Sequence, residues 1–261
     1  MKTRSLIALA SIAAALALAG WAGTQPSPWK VVAAYRTSLA GRSSAQAYNA
    51  RLAVKAIDGK ILQPGAEFSF NRVVGSWSAD RGYVKAPVSY DGELIPSWGG
   101  GVCQLSTTLY NAALLSGMEI TERHRHQFPA KYAPPGQDAA VAQQDIDLRF
   151  RNPYNWPVRI ETDVQEDWII CRFVSQKPLG REIEVQREIR QITPPGEVVR
   201  ARLSEPGSGT RWRIVNHGAP GLRVAVYRTT TKDGHTEREL VSEDTYPPIN
   251  RLIQAEGIGA K

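Results

Sequence analysis

The chain has 261 residues, 42% hydrophobic and 22% charged, a balance typical of folded globular proteins that excludes disorder over most of its length. Its formal charge is +7, but the basic residues are scattered and form no homeodomain, zinc-finger or ribonucleoprotein pattern, which argues against nucleic acid as a partner. A mildly basic chain of this kind is drawn instead to anionic polymers or lipid headgroups.

At the N-terminus, Lys2 and Arg4 precede an apolar run from Leu6 to Ala19, and Ala17-Leu18-Ala19 sets small residues at the spacing a signal peptidase reads. Residues 1–23 are therefore expected to act as a signal peptide or N-terminal anchor. The implied location is periplasmic, extracellular or on the outer side of the cytoplasmic membrane. Membrane contact is expected only through an uncleaved N-terminus, because the apolar run is short for a full span. Beyond a Pro-rich leader at 24–29, Val31 to Tyr35 starts a strand. Ser44 to Ile57 carries Ala47, Ala50, Leu52, Val54 and Ile57 as a helical stripe, closed by Asp58-Gly59. Pro64-Gly65 turns into the alternating Phe68-Ser69-Phe70. Leu105 to Leu115 reads as a second helix with Gly117 as its C-cap glycine. Its Thr107-Thr108-Leu109-Tyr110 portion has so little intrinsic helix propensity that packing must hold it. From Ile120 to Phe128, alternate positions would share one face of a strand. From Ile146 onward, short alternating runs between Pro and Gly turns predict mainly β-structure. The expected fold class is α+β: a mixed domain over 24–178, in which a Gly-rich loop leads into a Cys-bearing helix, then a β-rich extension over 179–261.

Gly99 to Tyr110, GGGVCQLSTTLY, is the stretch richest in chemistry. Cys103 falls in the first turn of the second predicted helix, where the helix dipole and unpaired backbone N–H groups favour thiolate over thiol. Gly99, Gly100 and Gly101 would let a substrate come close to the backbone and would permit φ > 0. The competing reading is a tight loop before a small, buried, inert cysteine. Cys103 and Cys171 are the only cysteines, so in an oxidising compartment a disulfide between them competes with a reactive Cys103. A zinc site from Cys103, His124 and His126 has usable ligand types but no recognised spacing, and no metal or other cofactor is expected.

Several ordered motifs carry a resemblance to a known family. Pro64 to Asn71, PGAEFSFN, is followed by Val74-Gly75, Gly82-Tyr83, Ala86 and the block Gly99 to Leu114. Glu122-Arg123 with His124 and His126, the Tyr132 to Val141 segment with Gly136 and Asp138-Ala139, and Asp147 to Phe150 with Asn152 complete the set. From about Tyr35 to Phe173 the chain resembles the VanW family. That resemblance implies an exported bacterial protein of the cell envelope in the setting of vancomycin resistance, and it implies no particular reaction.

Two readings fit these residues. In the first, Cys103 is the nucleophile of an acyltransferase or hydrolase acting on peptidoglycan peptides or their precursors. Such a nucleophile needs a base, here His126 or His124, and a group that orients the base, here Asp138, Asp145 or Asp147. The order Cys, His, acid also occurs in papain-like enzymes. Gln104, or the N–H groups of Gly101 to Cys103, would supply an oxyanion hole. Trp98, Gly99, Gly100, Gly101, Gln104, Ser106, Thr107 and Arg123 would bind substrate. Arg123 and Arg125 suit a substrate carboxylate or an ion pair, Ser106 and Thr107 equally suit helix N-terminal hydrogen bonding, and Asp138 an Asx-type turn. In the second reading the chain is a non-catalytic module that binds peptidoglycan or the target of a glycopeptide antibiotic, with Trp77, Tyr83, Tyr90 and Trp98 lining a groove.

Overall fold

The computed structural model describes residues 28–90, 93–143, 145–200 and 210–257; the predicted signal segment lies outside them. Strand β1 (Lys30–Ser38) is followed by helix α1 (Ser44–Ile57), β2 (Ile61–Leu62), β3 (Glu67–Ser69) and the short helix α2 (Phe70–Val74). A hairpin of β4 (Lys85–Tyr90) and β5 (Glu93–Trp98) leads into helix α3 (Val102–Leu115). Strands β6 (Glu119–Glu122), β7 (Arg149–Arg151), β8 (Val158–Gln165) and β9 (Trp168–Ser175) close this half. Its sheets run in the orders β1-β9-β8-β2 and β3-β7-β6.

Helix α1 begins at a capping box. The Ser43 hydroxyl accepts from the Gln46 N–H at 3.2 Å, and the Gln46 side chain accepts from the Ser43 N–H at 3.0 Å, satisfying two orphan donors reciprocally. Helix α3 is buried nearly all round, with Val102, Leu105, Leu109, Tyr110, Ala112, Ala113 and Leu114 sealed from solvent, as expected of a central helix. It packs on β1, β9 and α1. That packing overrides the poor helix propensity of its threonines: Thr108 meets Thr37 of β1 hydroxyl to hydroxyl at 2.7 Å. Beside it, Phe150 stacks on Phe68 at 4.7 Å and meets Phe173 edge-on at 5.7 Å.

Strands β10 (Glu182–Thr193), β11 (Glu197–Arg200), β12 (Thr210–Asn216), β13 (Gly221–Lys232), β14 (His235–Tyr246) and β15 (Arg251–Gly257) form two three-stranded sheets, β10-β13-β14 and β11-β15-β12. The first of these sheets docks on the earlier half. Arg228 donates to the Met118 carbonyl at 2.8 Å, and Gly136, at φ +88°, lies so close to Val224 and Val226 that a Cβ would come 2.8 Å from a Val226 methyl.

The fold class differs from the α+β expectation. Strands account for 48% and helices for 17%, a β-rich fold. Fourteen-residue helices such as α1 and α3 are conspicuous in a sequence, whereas β2, β3 and β7 have two or three residues each, too few to show alternation. The strand expected over Ile120 to Phe128 also ends early, at Glu122. Beyond it the Arg123 side chain turns inward, and the His126 N–H bonds the Asp138 carboxylate at 2.6 Å in place of a ladder carbonyl. Both cysteines are free. Cys171 lies in β9, sealed in the core, and burial pushes its thiol up, which makes it unreactive.

Candidate active site

Cys103, Thr107 and Asn111 lie on one face of α3 at helical i, i+4, i+8 spacing, and that face carries the loop that follows Pro135. Asn111 donates to the Gln137 carbonyl at 2.7 Å, the Thr107 hydroxyl accepts from the Ala139 N–H at 3.0 Å, and Ser106 donates to the Ala139 carbonyl at 2.7 Å. The Cys103 thiol donates to the Val141 carbonyl at 3.3 Å. These four tethers, to alternate residues Gln137, Ala139 and Val141, seat Asp138 over the first turn of the helix.

There, the cysteine, a histidine and the aspartate form a chain. His126 Nδ1 donates to Asp138 Oδ2 at 2.7 Å, and the same oxygen accepts the His126 backbone N–H at 2.6 Å. The ring lies beside Cys103, close enough for its charge and hydrogen-bonding capacity to lower the thiol; with Nδ1 spent on the carboxylate, Nε2 is the nitrogen that can serve the sulfur. Tyr132 places its hydroxyl 3.4 Å from Nε2, with Arg42 stacked 4.7 Å over its ring. The other Asp138 oxygen, Oδ1, accepts from the Tyr246 hydroxyl at 2.5 Å and from Arg123 at 3.2 Å. Arg123 is itself gripped by both oxygens of Asp244, at 2.6 and 2.7 Å.

Burial by itself would push the Cys103 thiol up, disfavour the imidazolium and push the Asp138 carboxyl up. In each case the partners outweigh it. The hydrogen bond and positive charge of His126 bring the Cys103 thiol below its usual value. Bonds to Asp138 and Cys103 raise His126 to about 10, and bonds from His126 with the charge of Arg123 hold Asp138 below the usual carboxylate range. At neutral pH this arrangement favours a thiolate–imidazolium pair, the reactive form of a cysteine nucleophile.

The structure sorts the other predicted residues. His124 turns away, bonding Glu122 at 2.9 Å, and Cys103, His124 and His126 form no metal-holding group among the described residues. Asp147 is occupied by Ser69, the Asn71 N–H and Arg149, and Asp145 is exposed. Gln104 is buried and donates to the Ser38 carbonyl at 2.7 Å, tying α3 to β1, so its amide does not face a substrate. Ser106 and Thr107 are sealed against the Asp138 loop. Arg123 is saturated by Asp138 and Asp244, with 7% of its side chain accessible, so it cannot receive a substrate carboxylate. Trp98 is exposed with Lys85 over its ring, whereas Trp77 packs under Gly99 and Tyr83 is buried. The side chain of Tyr90 lies outside the described residues.

The glycines meet protein at close range. A Cβ would lie 2.8 Å from Trp77 at Gly99, 2.8 Å from the Pro87 carbonyl at Gly100 and 2.3 Å from the Gln46 carbonyl at Gly101. Gly101 is also left-handed at φ +107°, capping α3 two residues before the cysteine. Gly101→Ala should therefore force α1 and α3 apart and strain the cap, costing about 3 kcal/mol or more. A melting temperature lowered by roughly 6–12 °C in a thermal scan is the expected result.

Four residues at this site have no assigned role in the sequence reading: Arg42, Tyr132, Asp244 and Tyr246. Tyr132 opens the Tyr132 to Val141 motif segment, which marks its position but not its task. Tyr246 stands 108 residues from Asp138, and no local pattern connects them.

Fold and site together define a β-rich protein in two parts with a cysteine-centred triad at a helix N-terminus. The family model for VanW-like proteins matches residues 45–174, which hold the whole triad, and the model for the G5 domain matches 186–255. The chain is 41% identical over 126 residues to YoaR, an uncharacterized protein of Bacillus subtilis (strain 168), covering 48% of this chain and 42% of that protein. It is 30% identical over 135 residues to the vancomycin B-type resistance protein VanW of Enterococcus faecalis (strain ATCC 700802 / V583), covering 50% and 49% respectively. The chain thus matches somewhat under half the length of these curated relatives. Among solved structures, the crystal structure of HP0197-G5 aligns at 23% identity over 28% of this chain and 95% of that one, with a TM-score of 0.17. The chain belongs to the VanW family and carries a G5 domain after its VanW-like domain.

Proposed function

We propose that this protein is a cysteine-dependent acyl-transfer enzyme that acts on peptide bonds of peptidoglycan or its precursors, on the outer side of the cytoplasmic membrane. The observation that carries this reading is the placing of Cys103, in the first turn of α3, beside a His126 ring whose Nδ1 is held by the buried Asp138; the lowered thiol and raised imidazole agree with it. The Cys103 thiolate adds to a substrate carbonyl, and the His126 imidazolium gives its proton to the departing amine as the thioester forms. The thioester then passes to an amine or to water, whose proton returns to His126. The N–H groups of Val102 and Gln104 are bonded to Gly99 and Gly101 carbonyls, which leaves the Cys103 N–H as the first-turn donor for the developing oxyanion.

The substrate class is inferred from the family setting and from the proposed export of the chain by residues 1–23; the G5 domain would hold the protein at the wall. The alternative, a purely binding module with an aromatic groove, has less support, since Trp77 and Tyr83 serve packing. The test is to incubate the full chain with purified sacculi and follow both the muropeptides and the protein by mass spectrometry. New cross-links or cleaved peptides with an acyl adduct on Cys103 are expected. Unchanged muropeptides with no adduct, across sacculi of differing stem peptides, would overturn the reading.

A further inference from the structure

The G5 match begins at residue 186, yet the hydrogen-bond network around Asp138 runs straight into it. We propose that strand β14 of the G5 domain is part of the active site, with Tyr246 and Asp244 acting as positioning residues that orient Asp138 and set the charge facing His126. What the site does with that charge rests on the acyl-transfer reading; the positioning does not.

Asp138 is held from both halves of the chain. Oδ2 serves His126 twice, while Oδ1 is held by Tyr246 and by Arg123. The Tyr246 hydroxyl donates to Asp138 and accepts the Gly136 N–H at 2.8 Å, so one buried group fixes the carboxylate and the turn two residues before it. Asp244 acts through Arg123. Side chains of both are nearly sealed, at 9% and 7% accessible, and burying such charges is costly unless they are paired. Domain docking alone does not require them, because Gly136 already packs on Val224 and Val226. Their electrostatic consequence is specific. Asp244 neutralises Arg123; without it, the guanidinium would cancel the Asp138 charge that His126 sees. The charged and titratable groups around the pair are Cys103 and Tyr110 from α3, Arg123 and Arg125 from the segment after β6, Tyr132 with Arg42 stacked on it, and Asp244 and Tyr246 from β14.

Two conservative variants of the full chain move opposite limbs of the ionisation profile. Asp244→Asn leaves a net positive charge near the imidazolium, so the His126 ring titration, followed by NMR and assigned by its loss in His126→Gln, should fall from about 10 by roughly one pH unit. Asp244→Glu should keep the native midpoint. Tyr246→Phe removes a donor to the carboxylate, so Asp138 should protonate at a pH higher by roughly half a unit to one unit, read from its carboxyl carbon by NMR and assigned by its loss in Asp138→Asn. The two shifts narrow the pH range of the Asp138–His126 ion pair from both sides, which a mere loss of stability would not do. Unchanged midpoints in either variant with native near-UV circular dichroism would overturn the proposal. If Asp244→Asn fails to fold, Tyr246→Phe decides alone. Neither readout needs substrate. Shifted midpoints in a protein that never forms product would refute acyl transfer and uphold the positioning, and the reverse result would do the opposite.

Discussion

Cys103→Ala is expected to abolish product formation on sacculi, a loss on the order of 10⁶-fold that brings the rate to background, while the protein still folds and still sediments with the wall. Alanine retains the helix and gives up the weak bond to the Val141 carbonyl together with the interaction with His126, a cost of about 2 kcal/mol. The nucleophile itself has no substitute nearby: Ser106 is sealed against Ala139, and Thr107 is committed to the same residue. Coupling runs in both directions. His126 loses one of the two partners that raise it, so its titration in Cys103→Ala should move toward the ordinary imidazole value. Muropeptide chromatography beside a sedimentation assay checks the result, and undiminished product from Cys103→Ala would refute a nucleophilic role.

Asp138→Asn should lower the rate on the order of 10³-fold while leaving Cys103 in place. All the groups around the carboxylate are donors: the His126 N–H and Nδ1–H on Oδ2, the Tyr246 hydroxyl and Arg123 on Oδ1. An amide satisfies one side and sets its NH₂ against donors on the other, so either orientation leaves buried groups unpaired. With the NH₂ toward His126, Nδ1 becomes the acceptor and the proton moves to Nε2, the nitrogen meant to take the thiol proton. The variant should also lose about 2–3 kcal/mol of stability. Its signature is a lowered His126 midpoint: the ring titration followed by NMR should fall from about 10 by roughly one unit or more, whereas an unmoved midpoint would show that Asp138 only shapes the turn.

Much of the local structure was legible along the chain. The capping residues Ser43 and Gln46 mark the start of α1, and the glycine–cysteine run marks the start of α3, because caps and first turns are decided by neighbours within four residues. The order Cys103, His126, Asp138 was legible as well, though with His124, Asp145 and Asp147 as equal candidates. Choosing among them required three dimensions: Glu122 holds His124, and Ser69, Asn71 and Arg149 occupy Asp147. The β-rich balance was hidden for a related reason, since strands of two and three residues exist only by virtue of partners distant in sequence.

Residue types and short-range periodicity were therefore enough to place a candidate nucleophile at a helix N-terminus and a β-rich segment after it. What the amino-acid order could not contain was the work of each side chain. Gly99 to Gly101 look like an opening for substrate and instead let α3 press against the Gln46 and Pro87 carbonyls. Arg123 looks like a ligand for a carboxylate and instead finds two within the protein. Tyr246 falls in the β-rich extension with no local pattern to mark it and yet holds Asp138. Hydrogen bonds and burial act through space over about 3 Å, so a contact spanning 108 residues was decided only when the tertiary fold closed.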